Sequence, residues 1–302
     1  MTDSVQSRTR LAENPIALLL VTGVLIGLNF PLGKLASLAG VSPVFWSLLV
    51  SLGVCLLLFP VLLVQKKLII PKGKTIRYVI LSALISFIIP NLLLFSVIPH
   101  AGSGYTGLMF ALSPVFTLTL ASLFRLKTPG KLGLLGIAIG LLGATIVSIT
   151  RGAAPEAPPI LWLLLALMIP MALACGNIYR TLDWPEGALP DSLAFWSHGF
   201  AVLVFTAILF GTGEADVISQ IDLAPWPALA QLIVGGLTFP VFFRLQQQGG
   251  PVLLSQIGYV AAAVGLIAAT LLLGESYALM TWVGAGIIAG GIAITVLAQI
   301  RS

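Results

Sequence analysis

Ser192 to His198 reads SLAFWSH, and 150 positions earlier Ser42 to Leu48 reads SPVFWSL. Two aromatic residues between serines recur by chance in a Leu-rich chain, so the echo carries weight only if other marks keep the same spacing. They do. Pro90 and Pro240 are also 150 apart, and Asn29 with Asn177, Gly136 with Gly284 and Gly143 with Gly291 stand 148 apart. The chain is therefore written twice, as residues 1–150 and 151–302.

Composition says what each copy is made of. Hydrophobic residues make up 58% of the 302 and charged ones 8%, with a mean hydropathy of +1.09, whereas soluble domains carry roughly 25% charged residues. Such a chain cannot cover itself with polar surface and belongs in a bilayer. A crossing helix needs about 20 apolar residues. Apolar runs between charge and turn clusters give ten such segments: 16–38, 43–64, 76–98, 102–124, 131–149, 160–180, 191–211, 226–246, 251–273 and 278–299. The breaks join charge to Pro and Gly, as in QKKLIIPKGKTIR (Gln65–Arg77) and RLKTPGK (Arg125–Lys131). RGAAPEAPP (Arg151–Pro159) resists helix and separates the copies. Five crossings per copy is an odd number, so the second copy must enter from the opposite side. The expected fold is an all-α polytopic membrane protein of ten transmembrane helices in two inverted five-helix repeats. That arrangement suits alternating access around a site near the midplane.

The first segment follows Arg8 and Arg10 but is about twice as long as a signal-peptide core, so it reads as a helix. Cys55 and Cys175 fall inside apolar runs without disulfide or metal-ligand spacing and read as small buried hydrophobes. With a cytoplasmic N-terminus, 13 of the 15 Lys and Arg face inward: Arg8, Arg10, Lys66, Lys67, Lys72, Lys74, Arg77, Arg125, Lys127, Lys131, Arg180, Arg244 and Arg301. Only Lys34 and Arg151 lie outward, and the loop with Glu214, Asp216 and Asp222 carries no cation. This positive-inside pattern puts both termini in the cytoplasm. It also accounts for the pI of about 9.4 without a nucleic-acid partner.

Four further stretches carry a family resemblance over nearly the whole chain. They are GLNFPLGK (Gly27–Lys34), ALSPVFTLTLASLF (Ala111–Phe124) ahead of the Gly-rich LGLLGIAIGLLGATI (Leu132–Ile146), and LLLGESYALMTWVGAGIIAGGIAI (Leu271–Ile294). The chain resembles the EamA-like branch of the drug/metabolite transporter superfamily. The resemblance implies a multi-pass transporter of a bacterial-type cytoplasmic membrane. It also implies that helices one, three, four, six, eight and nine surround a central cavity and that the Gly-rich fifth and tenth lie at the periphery. Small residues at spacings of three and four, such as Gly136, Gly140 and Gly143, permit close helix contact, and these peripheral helices offer a surface for a homodimer.

Polar residues within the runs are the candidate substrate-binding groups. Asn29, Asn91, Asn177, Gln256, Tyr105 and Tyr259 supply neutral donors and acceptors. Lys34 and Arg244 lie toward opposite ends of a pathway, where they either snorkel to headgroups or attract an anionic group at two gates. His198 replaces Leu48 of the first copy and reads either as a satisfied structural histidine or as a group titrating near neutrality. Trp46 and Trp196 suit interface anchors. Pro31, Pro90, Pro114, Pro170 and Pro240 each remove a backbone hydrogen bond and can kink a span.

No run holds Asp or Glu at its centre, so neither carboxylate-based ion coupling nor a cationic substrate has an evident carrier. The two histidines, His100 and His198, stand on different segments without metal-spaced acids, which argues against an integral-membrane enzyme and against a metal or other cofactor. The expected function is secondary transport, in the export direction, of small zwitterionic or anionic metabolites such as amino acids. A channel-like facilitator is the alternative. The expected partners are that small molecule and the lipid bilayer.

Overall fold

The computed structural model describes residues 14–126, 130–152, 157–214 and 216–300, so Arg8, Arg10, Lys127 and Arg301 of the cationic face lie outside the described part. Every regular element there is helical: α1 (Pro15–Leu38), α2 (Pro43–Val64), α3 (Lys74–Ala83), a π turn (Leu84–Ile88), α4 (Ile89–Ala101), α5 (Ser103–Phe110), α6 (Ser113–Leu123), α7 (Lys131–Gly152), α8 (Ile160–Leu182), α9 (Pro190–Thr212), α10 (Val217–Leu223), α11 (Pro225–Ser255), α12 (Ile257–Leu273) and α13 (Leu279–Ile300).

Seven of these stretches are long and apolar enough to cross a membrane: Pro15–Leu38, Pro43–Val64, Lys74–Ala101, Ser103–Leu123, Ile160–Leu182, Pro190–Thr212 and Pro225–Ser255. Lys131–Val147, Ile257–Leu273 and Leu279–Gly291 are shorter apolar helices. Large apolar side chains such as Leu56, Leu164, Leu203, Phe210 and Leu272 stand exposed on the outside, as a lipid-facing surface requires.

Helix ends follow the local chemistry. Pro15, Pro43, Pro190 and Pro225 each open a helix, where the missing N–H costs nothing, and the Asn14 side chain caps α1 by accepting from Ile16 N–H at 2.9 Å. Pro90 lies just beyond the π turn in the third span, where its ring removes a backbone donor. At Gly250 the backbone leaves the helical region (φ 66°, ψ −174°), so α11 is sharply kinked before Pro251.

The two copies interleave. Helix α1 packs on α11 and α12, α2 on α9 and α11, α4 and α6 on α8, and α7 on α13. Backbones meet closely where glycine leaves room. A Cβ on Gly143 would stand 2.7 Å from the Gly284 carbonyl oxygen, and one on Gly291 would stand 2.6 Å from that of Gly136. The packing role expected of these glycines is thus filled within the chain, between α7 and α13.

Polar contacts mark the two ends of the bundle. At one end Ser42 donates through its hydroxyl to Glu214 (2.5 Å) and through its N–H to Gln220 (2.9 Å), and Glu275 closes on Ser103. At the other, Arg77 pairs with Asp183, Arg244 with Asp191 (2.9 Å), and Trp196 donates to the Ile69 carbonyl (2.8 Å). Helix α1 runs up to the Ser42 end, whereas α8, the first helix of the second copy, runs up to the Asp183 end.

Candidate functional site

Two helices break, one in each copy. The fourth span divides into α5 and α6 across Ala111 and Leu112, whose N–H groups donate to Leu108 (3.2 Å) and Met109 (3.0 Å) three residues back. A second break falls between α11 and α12 at Gln256, whose N–H donates to Leu253 at 3.1 Å. A serine stands at each break, Ser113 and Ser255, and both face one internal cavity of about 60 Å³. Helices α1, α2, α4, α5, α6, α8, α11 and α12 all contribute to its wall, α2 only through Val50. The α7 and α13 pair is absent from it.

Three candidate residues line this cavity. Asn29 donates to the Leu25 carbonyl at 2.9 Å and accepts from Gln231 at 2.6 Å. Asn91 presents a buried Nδ2 that has no hydrogen-bond partner among the described residues. Asn177 accepts from Arg180 at 2.7 Å. The rest of the wall is largely apolar, with Leu94, Phe110, Phe239 and Leu254. Among the described residues no acidic or basic side chain is part of it. A few polar groups in an apolar pocket is the usual composition of a small-molecule site.

The other candidates divide by position. Gln256 and Tyr259 are buried and each adjoins a wall residue, Ser255 or Gly258, while Tyr105 is buried on α5. His198 lies one layer behind the wall. It is fully buried, its Nδ1 stands 3.1 Å from Ser51 Oγ, and its ring packs 4.2 Å from Phe87 and 4.1 Å from Phe239. Lys34 is half-buried near the end of α1 and outside the cavity wall. Arg244 is half-exposed and held by Asp191. Trp46 lines a second cavity, of about 400 Å³, at the Ser42 end, and Trp196 lines one of about 340 Å³ at the other end.

The residue that sequence reasoning placed elsewhere is Arg180. Counted there with the cations of the inner loops, it lies within α8 and is 1% exposed. Its Nε donates to Gln246 at 3.2 Å, and its guanidinium carbon sits 4.8 Å from the Phe242 ring centre and 5.6 Å from that of Phe87. The available signal was its spacing: Arg180 follows Asn177 by three residues and so shares its helical face. Beyond this helix, Asp183 feels opposed effects. Burial works against its ionised form, but hydrogen bonds from Tyr179 and Arg77 prevail and hold the carboxyl below its ordinary range. Among the described residues no group of three His, Cys, Asp or Glu side chains could hold a metal ion.

Comparison with known proteins agrees with this architecture. The "Uncharacterized inner membrane transporter YedA" of Escherichia coli (strain K12) is 26% identical over 201 residues, and the same figures hold for its counterparts in strains O6:H1 and O157:H7. The match takes in 65% of this chain and 63% of the length of those relatives. A solved crystal structure at 18% identity shares the fold, with a TM-score of 0.61 over 91% of this chain and 97% of that one. The EamA-like transporter family model matches twice, at residues 14–149 and 160–297, once in each half of the chain. A multi-pass helical membrane protein with that doubled signature belongs to the EamA-like transporter family, within the drug/metabolite transporter superfamily.

Proposed function

We propose that the chain is a secondary transporter that exports small zwitterionic or anionic metabolites, amino acids among them, across the cytoplasmic membrane by alternating access. One observation carries this reading. Two broken helices, one from each copy, meet at a cavity whose polar groups are serines and carboxamides and whose wall holds no acid. Broken helices in corresponding segments of two repeats are where transporters bind their solute, because irregular backbone at membrane depth is tolerable only where it is buried in protein or lines a wet cavity. The opposite directions of α1 and α8 support an inverted repeat with ten crossings. The grouping of Arg77 and Arg244 at one end and of Glu214 and Glu275 at the other supports cytoplasmic termini. On α13 a Cβ at Gly286 or Gly290, both exposed, would meet nothing within 4 Å, which leaves that face open for a homodimer.

The test is counterflow in proteoliposomes preloaded with a panel of unlabelled amino acids and monocarboxylates. Alternating access predicts saturable uptake of a labelled solute that an internal pool of the same solute accelerates. Flux that rises linearly with concentration and ignores the internal pool would instead establish a channel-like facilitator.

A further inference from the structure

Arg180 is buried to 1% exposure, yet among the described residues no carboxylate lies within ion-pair distance of it. A guanidinium carries five N–H donors. Here two are engaged, both by neutral amide oxygens, Asn177 Oδ1 at 2.7 Å and Gln246 Oε1 at 3.2 Å. Its remaining surroundings include the rings of Phe242 and Phe87, at 4.8 and 5.6 Å. A charge buried inside the bundle near a span end without a counter-ion is costly, and ionisable residues held within spans mark solute or ion pathways.

The place of this cation in the fold gives it a task. Asn177 and Phe242, two of the groups that touch the guanidinium, are also part of the central cavity wall. Arg180 therefore lies one side chain behind the cavity, against Asn177 and the Phe242 ring of its wall. Phe87, the other ring against it, sits on the π turn of the third span, beside Pro90 of the cavity wall. We propose that Arg180 is the carboxylate-binding residue of the transport site, reached when the Phe242 ring swings aside. Its planar fork accepts a carboxylate bidentately. One cation without a second nearby suits a single negative charge, since Lys34 and Arg244 stand outside the wall. The apolar wall of Leu94, Phe110, Phe239 and Leu254 suits an apolar body. The ligand class is thus a small monocarboxylate with an apolar side chain, an amino acid or its 2-oxo acid. This assignment rests on the transporter reading above.

The experiment is ligand-dependent thermal unfolding of the full chain in detergent, with L-leucine, L-phenylalanine and 4-methyl-2-oxopentanoate as probes and L-leucinamide as the uncharged-terminus control. For wild type, at least one carboxylate is expected to raise Tm saturably and the amide to do so far less. In Arg180→Gln the carboxylate effect should need at least tenfold more ligand, while Arg180→Lys should fall between the two. Phe242→Ala, which uncovers the guanidinium, should strengthen the effect of the carboxylates but not that of L-leucinamide, and serves if Arg180→Gln does not fold; an unchanged or equally changed response to both overturns the assignment. No stabilisation of wild type by any of the three carboxylates overturns the assignment, as does equal stabilisation of wild type and Arg180→Gln. Proteoliposome counterflow separates the two claims. Saturable transport that discriminates carboxylate from amide equally well with and without Arg180 keeps the transporter and discards this role. Arg180-dependent carboxylate binding without saturable transport keeps the site and discards the transporter.

Discussion

Glu275 accepts hydrogen bonds from both the N–H (3.1 Å) and the hydroxyl (2.7 Å) of Ser103, so a loop of the second copy caps the first turn of a helix in the first. The N–H of Gly104 (3.3 Å) and the hydroxyl of Tyr277 complete the shell around the carboxylate. Helix α5 begins there, and its first N–H groups have no partner within the helix. Gly274, in the left-handed conformation (φ 65°), ends α12 just ahead of the Glu275 carboxylate. Burial works against ionisation of Glu275, but these hydrogen bonds outweigh it and keep the carboxyl below its ordinary range.

Replacing Glu275 by Gln keeps the shape and removes the charge. The loss should be about 1 kcal/mol at neutral pH, the scale of a helix cap together with its dipole interaction. A carboxyl whose pKa is depressed on folding contributes stability above its unfolded pKa, and this is lost as pH falls through the folded value. The difference in Tm between wild type and Glu275→Gln should therefore be steady near neutrality and close in acid. A difference that does not change with pH would contradict a charged cap.

The α7–α13 contact makes a prediction about size. A Cβ on Gly143 would lie 2.7 Å from the Gly284 oxygen, and one on Gly284 would lie 2.6 Å from Val147 Cγ2, whereas Gly140 and Gly286 face open space. Gly143→Ala and Gly284→Ala should each cost about 1 to 3 kcal/mol through overpacking. Gly140→Ala and Gly286→Ala should be neutral or stabilising, because alanine favours the helix by roughly 0.5 to 1 kcal/mol. Thermal unfolding of the four variants in one detergent checks this contrast.

Topology is open to labelling in intact cells. In a background with Cys55 and Cys175 replaced, an impermeant maleimide should mark Asp216→Cys and spare Lys72→Cys. Both positions are exposed, on loops at opposite ends of the bundle. The reverse pattern would place the termini outside and remove the positive-inside argument.

Much of this was legible because membrane segments are read from length and apolarity. The segment 43–64 of the sequence is α2 (Pro43–Val64), and Pro90 with Pro240 marked spans that do build the cavity. The ninth segment reads as one apolar run, but its break at Gln256, between α11 and α12, was not legible, since no proline or glycine stands at that residue. The setting of Arg180 was hidden for a different reason. Its neighbours Phe87, Phe242 and Gln246 come from other spans, and one of them sits on a π turn that shifts the helical register. A cation near a span end therefore looked like a loop cation.

Asn29 and Asn91 line the same cavity, but their hydrogen bonding differs, and this separates support from recognition. Asn29→Ala would strand the Nε2 of Gln231, whose Oε1 already lacks a partner, so it should cost about 1 to 3 kcal/mol of stability. Asn91→Ala removes an amide whose Nδ2 donates to nothing among the described residues, so folding should be unchanged or slightly improved. An unused donor in a cavity wall is available to a solute. If Asn91 binds it, transport should fall tenfold or more, a loss of about 1.4 kcal/mol or greater. Unfolding and counterflow measured on both variants decide the matter. Wild-type flux in a well-folded Asn91→Ala protein would take that residue out of the site, whereas a stable variant with impaired flux would identify it as a contact made to the solute.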